Sequence, residues 1–466
     1  MRKAAIGIAV CLVIAALLVP RAAPAPLVRL APASTGRFTQ TLSAPPDTAS
    51  CRIRFGLACY EPAQLREAYN LDPLLSAGLD GTGRTIVIVD AFGSPAIEED
   101  LRTFDQAFGL PDPPSLQTIQ PAGPVPPYPQ DPAGVSDRLG WAGETTLDVE
   151  WSHVFAPGAS ILLVETPTPE TEGVQGFPEI VQAENYVVDH DLGDVISQSF
   201  AATEETFPDA GTLRGLRRAF VNARRHQITV LASSGDQGAT SPRLDGCCYP
   251  FPVVGWPSSD PLVTSVGGTQ LHLDAAGNRT APDNVWNDAG GAAGGGPSHV
   301  FERPSFQDGV ASVVGDARGT PDLSMSAAVD GSVDVFSSFC DSSDIDPSTG
   351  KTVRCPAWHL AAGTSEASPE LAGIIAIADQ AAGRRIGWLN PDLYRLAQHP
   401  SHSGIVDVEK GSNSFGFFCS GSCGTPTATA TVVPGFQATK GYDMASGLGT
   451  IDAARFVKAI AGLDGG

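Results

Sequence analysis

Five short apolar, β-branched runs recur along the chain, at residues 86–92, 161–165, 195–200, 228–233 and 262–266. Each is too brief for a buried helix, and residues 143–155, 180–188 and 213–225 between them carry helical patterns. Strands that alternate with helices pair in parallel through crossover connections. The expected fold class is therefore α/β, a doubly wound, mainly parallel sheet with helices on both faces. Ligands of such sheets gather beyond the carboxyl ends of the strands, which directs attention to Asp90, Ser199 and Asp236. No internal repeat or composition break divides the chain, so a single catalytic domain is expected, with loop-rich stretches at 286–300, 331–355 and 411–437.

The chain has 466 residues, 42% of them hydrophobic, which excludes wholesale disorder. Its formal charge of −22 opposes polyphosphate partners, and with no basic patch a nucleic-acid partner is not expected. Met1, Arg2 and Lys3 precede an apolar run from Ala4 to Val19, followed by Pro20, Arg21, Ala22 and Ala23. That layout reads as a secretory signal over residues 1–25, too short to span a bilayer comfortably. Its removal leaves an exported chain, without membrane attachment, as an expected monomer. Residues 26–58 read as a flexible lead-in, with the folded domain at 59–466.

Nine cysteines become eight once Cys11 leaves with the signal, and export favours disulfides. Proximity suggests Cys51 with Cys59, Cys340 with Cys355 and Cys419 with Cys423, and leaves Cys247 and Cys248 ambiguous.

The sharpest chemical signal is Gly363-Thr364-Ser365-Glu366-Ala367-Ser368-Pro369, ahead of the apolar stretch 371–377. A serine at a helix start sits where backbone N–H groups and the positive helix end stabilise an oxyanion. The alternative is that Thr364 or Ser365 simply caps the helix. A serine nucleophile needs a base, yet none of the eight histidines stands in the H-G-T-x-V-A helix that a subtilisin would use. Instead, Gly143-Glu144-Thr145-Thr146-Leu147-Asp148 places Glu144 and Asp148 four apart on one helical face, beside an apolar stripe of Leu147, Trp151 and Val154. Such a pair can share a proton, Glu144 taking the Ser365 proton while Asp148 supports it. It can equally be a solvated acidic face near a helix start. In Ala232-Ser233-Ser234-Gly235-Asp236-Gln237-Gly238, a strand runs into a glycine-rich turn. Asp236 there is either an Asx-turn residue or, when protonated, a hydrogen-bond donor to an oxyanion, which requires acid.

Glu144, Asp148, Asp236 and Ser365, in that order, resemble the sedolisins, or serine-carboxyl peptidases. Further segments look alike: Y-E-P-A-Q-L-R-E-A-Y-N-L from Tyr60, A-P-G-A-S-I-L-L-V-E from Ala156, P-S-S-D-P-L-V-T-S-V-G-G-T from Pro257 and G-G-G-P-S-H-V-F-E-R-P-S-F-Q from Gly294. The resemblance implies a subtilisin-like fold and hydrolysis of protein or peptide substrates in acid. Ser365 would be the nucleophile, Glu144 the general base and then acid, Asp148 its support and Asp236 the oxyanion donor. Asp90 is expected to be structural. Ser199, Phe200 and the strip Gly294 to Gly296 are expected to form cleft walls.

The resemblance also implies one Ca²⁺ ion near the C-terminus, held by the carboxylates of Asp407 and Asp443 with carbonyls of Val408, Thr439 and Gly441, oxygen ligands that suit a hard cation. It further implies a long N-terminal pro-region, and the residues between the signal and the first domain motif leave no room for a folded one. Two other readings are a neutral subtilisin-like protease, which the missing histidine motif disfavours, and a non-catalytic homologue acting as a binding protein.

Overall fold

The computed structural model describes residues 44–127, 135–339, 356–417 and 431–462. At its centre lie strands β1 (Thr85–Ala91), β2 (Leu116–Ile119), β3 (Ser160–Thr166), β4 (Val195–Gln198), β5 (Thr229–Ser233) and β6 (Thr264–Gln270). They run parallel in the order β2-β3-β1-β4-β5-β6. The antiparallel β7 (Asn284–Val285) and the parallel β8 (Leu323–Ser326) both add to β6. The expected doubly wound sheet is thus present, each expected strand within two or three residues of its observed limits at the start.

Both faces are covered, so the strands read as near-continuous apolar runs rather than alternating ones. Ile86 and Ile88 of β1 point into one core, with Leu147, Trp151 and Val154. Val87 and Val89 point into the other, with Phe177, Ile180 and Phe220. The first core is closed by helices α2 (Ile97–Phe108), α3 (Val135–Phe155), α6 (Thr364–Ala382) and α7 (Ala453–Ala461), the second by α4 (Phe177–Asp189) and α5 (Arg218–Arg225).

Helices α3 and α6 cross at close range: a Cβ on Gly373 would stand 2.6 Å from the Cβ of Phe155 and 3.1 Å from the Ser152 carbonyl oxygen. Only glycine fits that crossing.

Several expectations need correction. The lead-in does not extend to residue 58: α1 (Thr48–Phe55) is capped by the Asp47 side chain, and a Cys51–Cys59 disulfide with both sulfurs buried pins it to the domain. The ambiguous neighbours resolve differently from each other, since Cys247 is disulfide-bonded and Cys248 keeps a free thiol. The loop-rich stretches contain strands at Gly296–Glu302, Ser332–Ser337, Phe415–Phe417 and Thr431–Val433. The signal segment and the pairs Cys340–Cys355 and Cys419–Cys423 lie outside the described residues. Among the described residues, no helix is long and apolar enough to cross a membrane.

Candidate active site

The chain leaves β1 outward to β2 and β3, then crosses to β4 on the other side of β1, and that reversal opens a crevice at the carboxyl ends. Ser199 and Phe200 follow β4, and Ser234, Gly235 and Asp236 follow β5. These residues line one cleft with Thr364, Ser365 and Glu170.

Ser365 is the second residue of α6, preceded by Gly363 at φ +126°. Pro369 lies inside this helix. Having no N–H, it leaves the Ser365 carbonyl without its usual helical donor. The Ser199 hydroxyl lies 3.4 Å from that carbonyl and donates more closely, at 2.9 Å, to Asp148 Oδ1. One hydroxyl therefore joins the α6 start to the acidic face of α3. A buried Ser197–Ser368 hydroxyl pair at 2.8 Å adds a second tie between β4 and α6.

Glu144 and Asp148 are both fully buried, so the reading of a solvated acidic face does not apply. Burial, then Asp90, then Glu144 push the Asp148 carboxyl well above its ordinary value, with Ser199 opposing. Asp90, one residue from the end of β1, is itself raised to about 7, chiefly by burial. Asp90 therefore does more than brace the sheet: its charge bears directly on the α3 pair.

Asp236 is clamped from α6. Its Oδ1 accepts both the Thr364 N–H and the Thr364 hydroxyl at 2.8 Å, and the same hydroxyl accepts the Gly235 N–H at 3.0 Å. Burial outweighs these bonds and raises the carboxyl to about 6. The sequence marked Thr364 only as a possible cap, and its role as clamp was not foreseen. Glu170 was also missed.

The Gly294–Gly296 strip does not line the cleft but backs it. Gly294 donates to the Gly235 carbonyl at 2.7 Å and accepts from the Ser234 hydroxyl, and a Cβ on it would meet the Ser234 carbonyl oxygen at 2.1 Å.

Among the described residues, no histidine lines the cleft. His153, on the same helix as Glu144, is buried against the Pro111 carbonyl at 2.7 Å and Asp105 at 3.5 Å, away from Ser365.

Far from this cleft, Asp407 and Asp443 converge on one turn. Asp407 Oδ2 accepts the Gly441 N–H at 2.7 Å and Asp443 Oδ2 the Thr439 N–H at 2.8 Å, while Asp443 Oδ1 accepts Ala445 and Ser446 N–H groups. Partial burial raises both carboxyls. Among the described residues, no three His, Cys, Asp or Glu side chains form a metal cage. Two carboxylates supplemented by carbonyls nevertheless make an oxygen set suited to a hard cation, which would offset their desolvation.

No family model matches the chain. It is 29% identical over 411 residues to kumamolisin of Bacillus sp. (strain MN-32), covering 86% of this chain and 63% of that one. Sedolisin of Pseudomonas sp. (strain 101) is 29% identical over 385 residues, 80% of this chain and 57% of the relative. Human tripeptidyl-peptidase 1 is 28% identical over 322 residues, 68% and 51%. The chain thus spans between 51% and 63% of the length of these three relatives. In structure it superposes on Pseudomonas sedolisin, a serine-carboxyl proteinase solved with two molecules of pseudo-iodotyrostatin, with a TM-score of 0.65 and 27% identity over 87% of this chain and 98% of that one. With a subtilisin-like α/β fold and these relatives, the chain is similar in sequence and structure to the sedolisins, the serine-carboxyl peptidases.

Proposed function

We propose that the chain is an exported peptidase that hydrolyses peptide bonds of protein or peptide substrates in acid. The observation that carries this reading is the convergence of Ser365 and Asp236 on one cleft, with Ser199 tying Asp148 to the same helix start.

In the proposed mechanism Ser365 Oγ attacks the scissile carbonyl carbon while its proton passes to Glu144. Asp148, kept neutral by burial and by the charges near it, supports Glu144 and lets that carboxyl alone carry the negative charge. The developing oxyanion needs a donor in place beforehand. Oδ1 of Asp236 already accepts two bonds, so the proton of the neutral carboxyl sits on Oδ2, stays there and donates a hydrogen bond to the oxyanion. Glu144 then returns its proton to the leaving amine and the C–N bond breaks; a water molecule, deprotonated by Glu144, attacks the acyl-serine, and that proton passes from Glu144 to Ser365 Oγ as the ester bond breaks.

A histidine base is the competing reading, and the placement of His153 beside Asp105 and Pro111 counts against it. The test is a pH profile of peptide cleavage by the wild type and Ser365→Ala. Cleavage is expected to peak in acid, to fall as pH rises through about 6 with the Asp236 proton, and to drop at least about 10³-fold in the variant. A maximum near neutrality would sink the carboxyl mechanism, and serine-independent cleavage would sink the nucleophile. Cleavage by neither protein at any pH would leave the binding-protein reading.

We also propose one Ca²⁺ ion, held by Asp407 and Asp443 with carbonyls of Val408, Thr439 and Gly441. Chelation should lower the melting temperature, and Asp443→Asn should abolish that sensitivity. An unchanged melt on chelation removes the site.

A further inference from the structure

The cleft contains one acid that the mechanism does not use. Glu170 lies four residues beyond β3, on the same rim as Ser199 and Asp236, and is 2% exposed. Its loop is tightly folded: the Thr171 N–H donates to the Gln175 carbonyl at 3.1 Å, and a Cβ on Gly176, at φ +88°, would stand 2.1 Å from the Pro169 carbonyl oxygen. The residue's own backbone N–H bonds its carboxyl, but among the described residues Oε2 has no hydrogen-bond partner. A buried polar atom left in that state keeps its full desolvation penalty, and it asks for a partner from outside the chain.

The chemistry of that partner follows from the surroundings. Among the described residues, no Lys, Arg or His lines the cleft. The charges bearing on Glu170 are Glu144, Glu172 and Asp90, all acids, and together with burial they hold its carboxyl well above the ordinary range. Burial and these acids favour its neutral form in acid. A neutral carboxyl has one O–H to give, and Oε2 is the oxygen at which no donor points.

We propose that Glu170 is a substrate-binding residue, and that its Oε2 hydroxyl donates a hydrogen bond to a carbonyl-type acceptor of the bound peptide, either a backbone carbonyl or a side-chain amide or carboxyl. The proposal rests on the peptidase reading above.

The full chain, as Glu170→Met and Glu170→Gln, is assayed at acidic pH on peptides in which each position in turn is glutamine or norleucine. Glu170→Met should lose about 10–100-fold in kcat/KM, mostly through KM, as expected when a desolvated hydrogen bond is removed. Glu170→Gln keeps a donor and should stay within about threefold. A loss confined to peptides with glutamine at one position assigns a side-chain acceptor, and an equal loss on every peptide assigns the backbone.

A wild-type series with single reduced-amide units away from the scissile bond needs no variant to fold, and for a backbone acceptor one position must weaken KM. The assignment is overturned if Glu170→Met matches the wild type. It is also overturned if Glu170→Gln is as impaired as Glu170→Met on lysine-containing or free N-terminal peptides, which would mean a cation partner. Either result with Ser365-dependent cleavage intact leaves the peptidase reading standing, whereas loss of Ser365 dependence removes that reading instead.

Discussion

Two helices of this molecule each bury a pair of carboxyls four residues apart, and the pairs have different surroundings. On α3 the pair is Glu144 and Asp148, and on α6 it is Glu366 and Glu370; all four are fully buried. Burial is the leading cause of the upward shift for Asp148, Glu366 and Glu370 alike. The α3 pair lies at the carboxyl ends of the strands, where Asp148 takes the Ser199 hydroxyl and feels Asp90. The α6 pair faces Tyr69 and Ser326, and neither Glu370 oxygen has a hydrogen-bond partner among the described residues. Spacing and burial are the same. What differs is the link to the cleft: Ser199, which lines it, bonds Asp148, and in the proposed mechanism the α3 pair exchanges protons with the substrate while the α6 pair does not.

The largest expected contrast is in catalysis. Glu144→Gln should reduce kcat/KM by about 10²–10⁴-fold, the range for loss of a general base, whereas Glu370→Gln should stay within about threefold when peptide cleavage is followed at the acidic optimum. Equal losses would erase the distinction.

Next comes Asp236. Asp236→Ala should lose about 10²–10³-fold, the usual effect of removing one oxyanion donor. Asp236→Asn retains a donor that does not titrate, so its profile should lack the fall near pH 6. The pH profiles of the two variants decide this, and parallel profiles would remove the oxyanion role.

The smallest effect is on stability. A carboxyl whose folded pKa is raised contributes stability that is complete below its unfolded value, near 4, and is lost as pH rises through the folded value. The Glu366→Gln/Glu370→Gln double variant should therefore lose less stability than the wild type on going from acid to neutral pH. Its unfolding should release up to about two fewer protons there, each worth about 1.4 kcal/mol per pH unit. Denaturant melts across that range measure the slope, and superimposed slopes would show that the α6 pair holds no such protons. His153, lowered to about 4 by burial, works in the opposite direction, contributing stability above its unfolded value and losing it as pH falls through about 4.

The sheet was legible because strands buried on both faces write themselves as unbroken β-branched runs, as 86–92 does. The four candidate site residues were legible because each sits at an element's end or on one helical face, where spacing carries meaning. Less was visible where tertiary contact overrides local signal. Residues 24–50 are rich in proline, alanine, serine and threonine, which reads as a flexible lead-in, yet a disulfide and an Asp47 cap hold a helix over Thr48–Phe55. Glu170 lies within Thr-Pro-Thr-Pro-Glu-Thr-Glu-Gly, which reads as a solvated turn until Gly176 folds the loop inward. Thr364 looked like a cap because its partner Asp236 is 128 residues away in sequence. Glu366 and Glu370 drew no attention as a pair, since nothing local says that the face carrying them is dry.

The crossing at Gly373 bears on how this cleft could be altered. Because Phe155 and Ser152 already fill the space a side chain would need, α6 can neither slide nor swell against α3. The two helices act as a rigid gauge between the serine and the acids. Variation in what the cleft accepts must then come from the loops after β3, β4 and β5, which can be exchanged without resetting that gauge.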